Sequence, residues 1–160
     1  MKIRPAVVTD AADLAALHLR VWREAYTGLI PDAVLAEREQ VPVVERVTRW
    51  VGWVRAGQIT VAVDDGGALV GWAGTGPSRD ADIEGLELYS LYVTAEHYST
   101  GLGHRLLAAA LGDRPAFVWV LRGNDRAIGF YERHGFAFDG TEKVDELGLT
   151  DLRMRRPAES

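Results

Sequence analysis

Two stretches of the chain carry residue types whose spacing could do chemistry. The first is Leu86-Glu87-Leu88-Tyr89-Ser90-Leu91-Tyr92-Val93, which leads through a polar segment to Ser99-Thr100-Gly101-Leu102-Gly103-His104-Arg105. Read in order, it is a strand that ends, a loop that turns and two glycines that open an amphipathic helix. Glycine lets a ligand approach the backbone closely, and the amides and dipole of a helix's first turn favour an anion, typically phosphate. A Walker loop would need Gly-Lys-Ser/Thr, but His104-Arg105 follows Gly103. A dinucleotide fingerprint would need a third glycine where Leu106 stands. Taken alone, Gly-x-Gly fits a plain turn equally well. The second stretch is Asn124-Asp125-Arg126-Ala127-Ile128-Gly129-Phe130-Tyr131-Glu132-Arg133-His134-Gly135-Phe136. Here Asn124 suits a helix cap, and Tyr131 beside Phe130 suits a core aromatic.

These residues need elements to position them. Ile3 to Val8 reads as a strand, and Thr9 to Asp13 offers a cap with acids in a first turn. Leu14, Leu17, Val21, Trp22 and Ala25 then recur at helical spacing up to a stop at Gly28. Pro31 starts a second helix through about Arg38, and a third runs from Val43 to Arg55. The period then shifts to that of strands. Residues 58–63 and 68–73 flank Asp64-Asp65-Gly66-Gly67 as a hairpin, and residues 74–85 read as a loop before a strand from Leu86 to Val93. A helix over 101–111, a strand over 117–121, a helix over 127–134 and strands over 136–144 and 147–155 complete the order. The pattern predicts one α/β (α+β) domain over 1–160, a mixed layer fold.

Composition narrows the chemistry. The chain has 160 residues, a formal net charge of −5 and no cysteine. The charge argues against broad phosphate-backbone binding, so no nucleic-acid partner is expected. No apolar run approaches the ~20 residues of a membrane helix, and the start lacks a secretory pattern, so no membrane partner and a cytoplasmic location are expected. Without cysteine there is no thiol nucleophile or thiolate metal site, and the four scattered histidines lack metal-ligand spacing, so no metal is expected.

Together the two stretches resemble the GNAT superfamily, the Gcn5-related N-acetyltransferases that use acetyl-CoA. The resemblance rests on Leu91-Tyr92-Val93, on Gly101-Leu102-Gly103, and on Asn-x-x-Ala-x-x-Phe-Tyr-x-x-x-Gly-Phe from Asn124 to Phe136. The order of elements is similar from end to end, which implies the family's fold: a mixed, mostly antiparallel twisted sheet of six to seven strands flanked by helices on both faces. The resemblance implies that the backbone of Leu91, Tyr92 and Val93 pairs with the pantetheine arm. It further implies that Ser99, Thr100, Gly101, Leu102, Gly103 and His104 cradle the pyrophosphate, and that Asn124 hydrogen-bonds near the pantetheine. Tyr131 would donate a proton or hydrogen bond to the departing thiolate. An amine attacking the thioester directly needs no enzyme cysteine.

Two stretches depart from the family pattern. Tyr98 replaces the usual Gln or Arg, and Ser99 and Thr100 replace often basic residues, so cofactor binding is expected to depend weakly on salt. Trp119 stands where some relatives hold a catalytic Glu, which leaves Glu87, on the strand leading into the site, as the candidate base. In the family the helix-loop-helix region shapes the acceptor pocket, which points to Trp22, Tyr26 and Asp32, with Glu24 and Asp32 able to attract a cationic amine. The expected acceptor is a small-molecule or peptide amine, and a homodimer is left open. The alternative is a non-catalytic acyl-CoA-binding sensor or regulatory module on the same fold.

Overall fold

The fold is seen in a computed structural model that describes residues 1–158. The chain forms β1 (Lys2–Pro5), α1 (Ala11–Tyr26), α2 (Asp32–Glu39), α3 (Val43–Arg55), β2 (Ile59–Val63), β3 (Leu69–Pro77) and β4 (Leu86–Val93). It continues with α4 (Leu102–Leu111), β5 (Ala116–Leu121), α5 (Asp125–Arg133), β6 (Ala137–Val144) and β7 (Thr150–Arg156). Among the described residues the strands make one seven-stranded sheet in the order β1-β2-β3-β4-β5-β7-β6. Pairing is antiparallel for β1 with β2, β2 with β3, β5 with β7 and β6 with β7. It is parallel for β4 with β5, in the register Glu87↔Phe117 and Leu88↔Val118. The chain folds as two compact units that interleave in sequence: residues 1–74 with 90–110, and residues 75–89 with 111 onward.

In the first unit α1 buries Leu14, Ala15, Leu17 and Val21, and α3 adds Trp50 and Val54 to the same core with Val61 and Trp72 from the strands. Spacings of three and four residues place these side chains on one face of each helix. β1 is shorter than its apolar pattern predicts. The Asp10 carboxylate accepts from both terminal nitrogens of Arg4, at 2.8 and 3.0 Å, and from the Val7 amide at 2.8 Å. That draws residues 8–10 out of the strand into a short 3-10 turn. The same contacts hold the Asp10 carboxyl below its ordinary range, chiefly through the Arg4 hydrogen bonds.

In the second unit β3 extends to Pro77, into the segment whose composition reads as loop. Its end is fastened by the Tyr89 hydroxyl, which donates to the Pro77 carbonyl at 2.5 Å, and by the Ser78 amide, which donates to Gly85 at 2.9 Å. The core of this unit is Phe117, Val118, Val120, Leu121, Tyr131, Phe136 and Met154. Arg153, 4% exposed, crosses its sheet and binds three carboxylates: Asp139 at 2.5 Å, Asp82 at 2.9 and 3.0 Å and Asp80 at 3.2 Å. Its guanidinium pKa is raised, first by the Asp82 hydrogen bond and then by those of Asp139 and Asp80.

Candidate functional site

The first unit carries the strand–turn–helix that the glycine spacing indicates. Alternation along β4 sends Ser90 and Tyr92 to one face and Leu91 and Val93 to the other. Ser90 accepts from the indole nitrogen of Trp72 at 2.9 Å, which anchors the strand. Thr94 follows, fully buried, its amide bonded to the Val70 carbonyl at 2.9 Å and its hydroxyl 2.8 Å from Nδ1 of His97. The chain then turns, with the Thr100 hydroxyl donating to the His97 carbonyl at 2.6 Å. Two residues of the turn adopt positive φ: Ser99 at 60° and Gly101 at 86°. Left-handed residues in a turn are how successive amides come to face one concavity, and this turn opens directly into α4. The first helical bond runs from the Arg105 amide to the Gly101 carbonyl at 3.1 Å. The amides of Leu102 and Gly103 therefore lie in the first turn, where a helix has no partner of its own to give them. Ser99, Thr100, Gly101 and His104 are exposed, whereas Leu102 turns inward at 3% exposure to seat the helix. These features fit an anion held by backbone.

The same unit brings two of the expected acceptor residues to β4. The Tyr26 and Tyr92 hydroxyls lie 2.7 Å apart, and the Trp22 ring packs 4.6 Å from that of Tyr26. Asp32 does not join them: it is exposed in the first turn of α2, behind Pro31.

The second unit carries the other motif. Asn124 caps α5, its side chain accepting from the Ala127 amide at 3.4 Å, and it is 6% exposed. Seven residues, about two helical turns, separate it from Tyr131, so both project from one face roughly 10 Å apart along the axis. Tyr131 is 6% exposed between Phe130 and Phe136, at ring distances of 5.4 and 5.5 Å. Glu87 is 1% exposed and its carboxylate is engaged: it accepts from Arg79 Nη2 at 2.6 Å, from Nε at 3.4 Å and from the Arg79 amide at 3.1 Å. Arg79, raised in pKa chiefly by that bond, lies over the Tyr89 ring at 4.2 Å. Both oxygens of the Glu87 carboxylate are thereby engaged by Arg79. Trp119 donates to Asp80 at 3.0 Å, which ties it to the Arg153 network.

Sequence reasoning missed Gly71, Thr94 and Arg79. A Cβ built on Gly71 would lie 2.8 Å from the Tyr92 carbonyl oxygen, 3.0 Å from Val93 and 3.1 Å from Leu106, so this residue lets β3 approach both parts of the cradle. An isolated glycine inside a strand pattern is the signal that could have found it. His97 is half-buried and orders the turn through Thr94. Among the described residues no group of three or more His, Cys, Asp or Glu is arranged to hold a metal ion, and no helix is long and apolar enough to cross a membrane.

Comparison with known proteins identifies the family to which this mixed sheet and strand–turn–helix belong. The model of the Acetyltransferase (GNAT) domain family matches residues 55–137. The chain is 32% identical over 163 residues to "Uncharacterized N-acetyltransferase YuaI" of Bacillus subtilis, covering 96% of this chain and 88% of the relative. It is 29% identical over 151 residues to "Probable N-acetyltransferase Rv2775" of Mycobacterium tuberculosis, covering 88% and 82%. Among solved structures it is similar in fold to the PaiA N-acetyltransferase of Thermoplasma acidophilum in complex with coenzyme A, with a TM-score of 0.72 and 21% identity over 97% of both chains. The chain belongs to the GNAT acetyltransferase family.

Proposed function

We propose that the protein transfers an acetyl group from acetyl-CoA to a primary amine, by direct attack of the amine on the thioester carbonyl in a ternary complex. The observation that carries this is the run from Leu91 to Gly103, a strand followed by a left-handed turn and a helix start in a GNAT chain. Acetyl-CoA, when bound, supplies an activated acetyl thioester. The backbone of Leu91, Tyr92 and Val93 would align the pantetheine arm as an added strand does, and the amides from Ser99 to His104 would hold the pyrophosphate. A strand amide at Leu91 or Tyr92 would stabilise negative charge on the carbonyl oxygen. Asn124 would bond the pantetheine while capping α5, and the Tyr131 hydroxyl would hand a proton or hydrogen bond to the leaving sulfur. Trp22 and Tyr26 would shape the acceptor side, and Asp32 would act at longer range on a cationic amine. Glu87 would take the amine's proton only after Arg79, 63% exposed, turns away.

Release of free CoA across a panel of small amines and peptides tests this. Turnover on at least one amine, with kcat at least tenfold lower in Tyr131→Phe, supports the transferase. Acetyl-CoA binding with no CoA release on any amine, unchanged in Tyr131→Phe, supports a non-catalytic acyl-CoA-binding module instead. The bell or plateau of kcat/KM against pH in Glu87→Gln decides the base: an acidic limb that persists removes Glu87 from that role.

A further inference from the structure

A cavity of about 90 Å³ lies among α1, α2 and α3, walled by Trp22, Trp50 and Trp53 with Leu35 and Val41. It is several times the ~10–15 Å³ that one water needs. Its electrostatics run against those of the chain. Four arginines line it against one glutamate, in a protein of net charge −5. Two of the four are matched, Arg23 with Glu39 and Arg49 with Glu45 at 2.6 Å, and Arg38 lies over the Trp22 ring at 4.2 Å. Arg46 is different. Its Nε and Nη1 are buried and have no hydrogen-bond acceptor among the described residues. Buried guanidinium donors left unmet are costly, and an ionised acceptor is the group that removes most of that cost. The field is positive enough to act on its neighbour: His18, in the same wall, is pushed down to about 4 by burial and then by the charges of Arg38 and Arg46. The wall therefore presents a neutral imidazole, flat indole faces and one uncommitted cation.

We propose that this pocket is a binding site for a small aromatic carboxylate, its ring held among the tryptophans and its carboxylate on the Arg46 guanidinium. The carboxylate is preferred over phosphate because one buried guanidinium matches a monoanion, and the ring over an alkyl chain because three indoles surround the space. All the residues belong to the three helices and their connections, so the site stands whether or not the acyl-transfer reading holds.

Calorimetric titration of the full chain with benzoate, and with benzamide as its neutral isostere, tests the proposal. Benzoate is expected to bind saturably and benzamide at least tenfold more weakly. Arg46→Met should weaken benzoate at least tenfold, yet unfold without benzoate at or above the wild-type temperature, because it removes two buried donors that have no acceptor. Trp53→Ala, at a rim position 40% exposed, should weaken benzoate at least threefold and keeps the test decisive if Arg46→Met does not fold. Absence of saturable benzoate binding, equal binding of benzamide, or wild-type affinity in both variants overturns the assignment.

Discussion

Replacing Gly71 by alanine probes the cradle without substituting any residue assigned to chemistry. The added methyl would meet the Tyr92 carbonyl oxygen at 2.8 Å, and that contact must open by about 0.6 Å to reach the 3.4 Å at which ordinary packing begins. Two further contacts, to Val93 at 3.0 Å and Leu106 at 3.1 Å, block escape toward the end of β4 and toward α4. A carbonyl in a strand cannot swing aside as a flexible side-chain tip can, so the strand itself must move. Overpacking of this kind costs about 1–3 kcal/mol. For a chain of this length about 2 kcal/mol lowers the melting temperature by about 4–8 °C. The same shift displaces the segment proposed to align the thioester, where misplacement by a fraction of an ångström is expected to lower kcat/KM by about tenfold or more. Thermal unfolding and acetyl-CoA steady-state kinetics on Gly71→Ala read both effects. A melting temperature within 1 °C of wild type together with kcat/KM within about twofold would refute the packing argument. Gly101→Ala is the contrast: nothing lies within 4 Å of its Cβ, so its cost is the left-handed backbone alone, about 1–2 kcal/mol.

Three other outcomes are expected. Arg153→Met leaves Asp80, Asp82 and Asp139 facing one another without their cation, and chemical denaturation should show a loss of about 3–5 kcal/mol; a loss under 1 kcal/mol contradicts the clamp. His18 titrates near 6.5 in the unfolded chain and near 4 when folded, so the unfolded state binds the extra proton between those values. Stability should fall as pH drops through 6.5 toward 4, by at most about 3 kcal/mol, and His18→Phe should flatten that slope; an unchanged slope removes His18 as its source. Acetyl-CoA affinity should depend only shallowly on salt, since Tyr98, Ser99 and Thr100 bring no charge to the turn, and a steep logarithmic slope in a titration would show basic side chains at work.

Local pattern was enough where local forces decide. α3 and β4 run as their apolar spacing and end signals indicate, and the glycines at 101 and 103 mark a helix start after a turn. What pattern could not show depends on partners distant in the chain. Asp10 reads as an acid in a helix's first turn, yet its bonds to Arg4 and Val7 end β1 early. Glu87 reads as a candidate base from its place on the strand leading into the site, while Arg79, across a loop, holds its carboxylate. Arg153 is one of many arginines until the fold gathers three aspartates around it. Trp50, Trp53 and Trp72 could be placed only as packing. Trp50 and Trp72 are core, and the indole of Trp72 also ties down β4, whereas Trp53 is the open rim of the α1–α3 cavity.

Position within the sheet also sets when the second unit can form during synthesis. β7 is the last strand in sequence but an interior one, pairing with β5 from Ala116↔Arg156 to Leu121↔Asp151 and with β6 on its other side. Until residue 156 has left the ribosomal tunnel, β5 and β6 have no strand between them, and each keeps an open hydrogen-bonding edge. A nascent chain stalled before β7 therefore presents the apolar Phe117-Val118 stretch as a template for other chains, the point at which a holding chaperone would matter most.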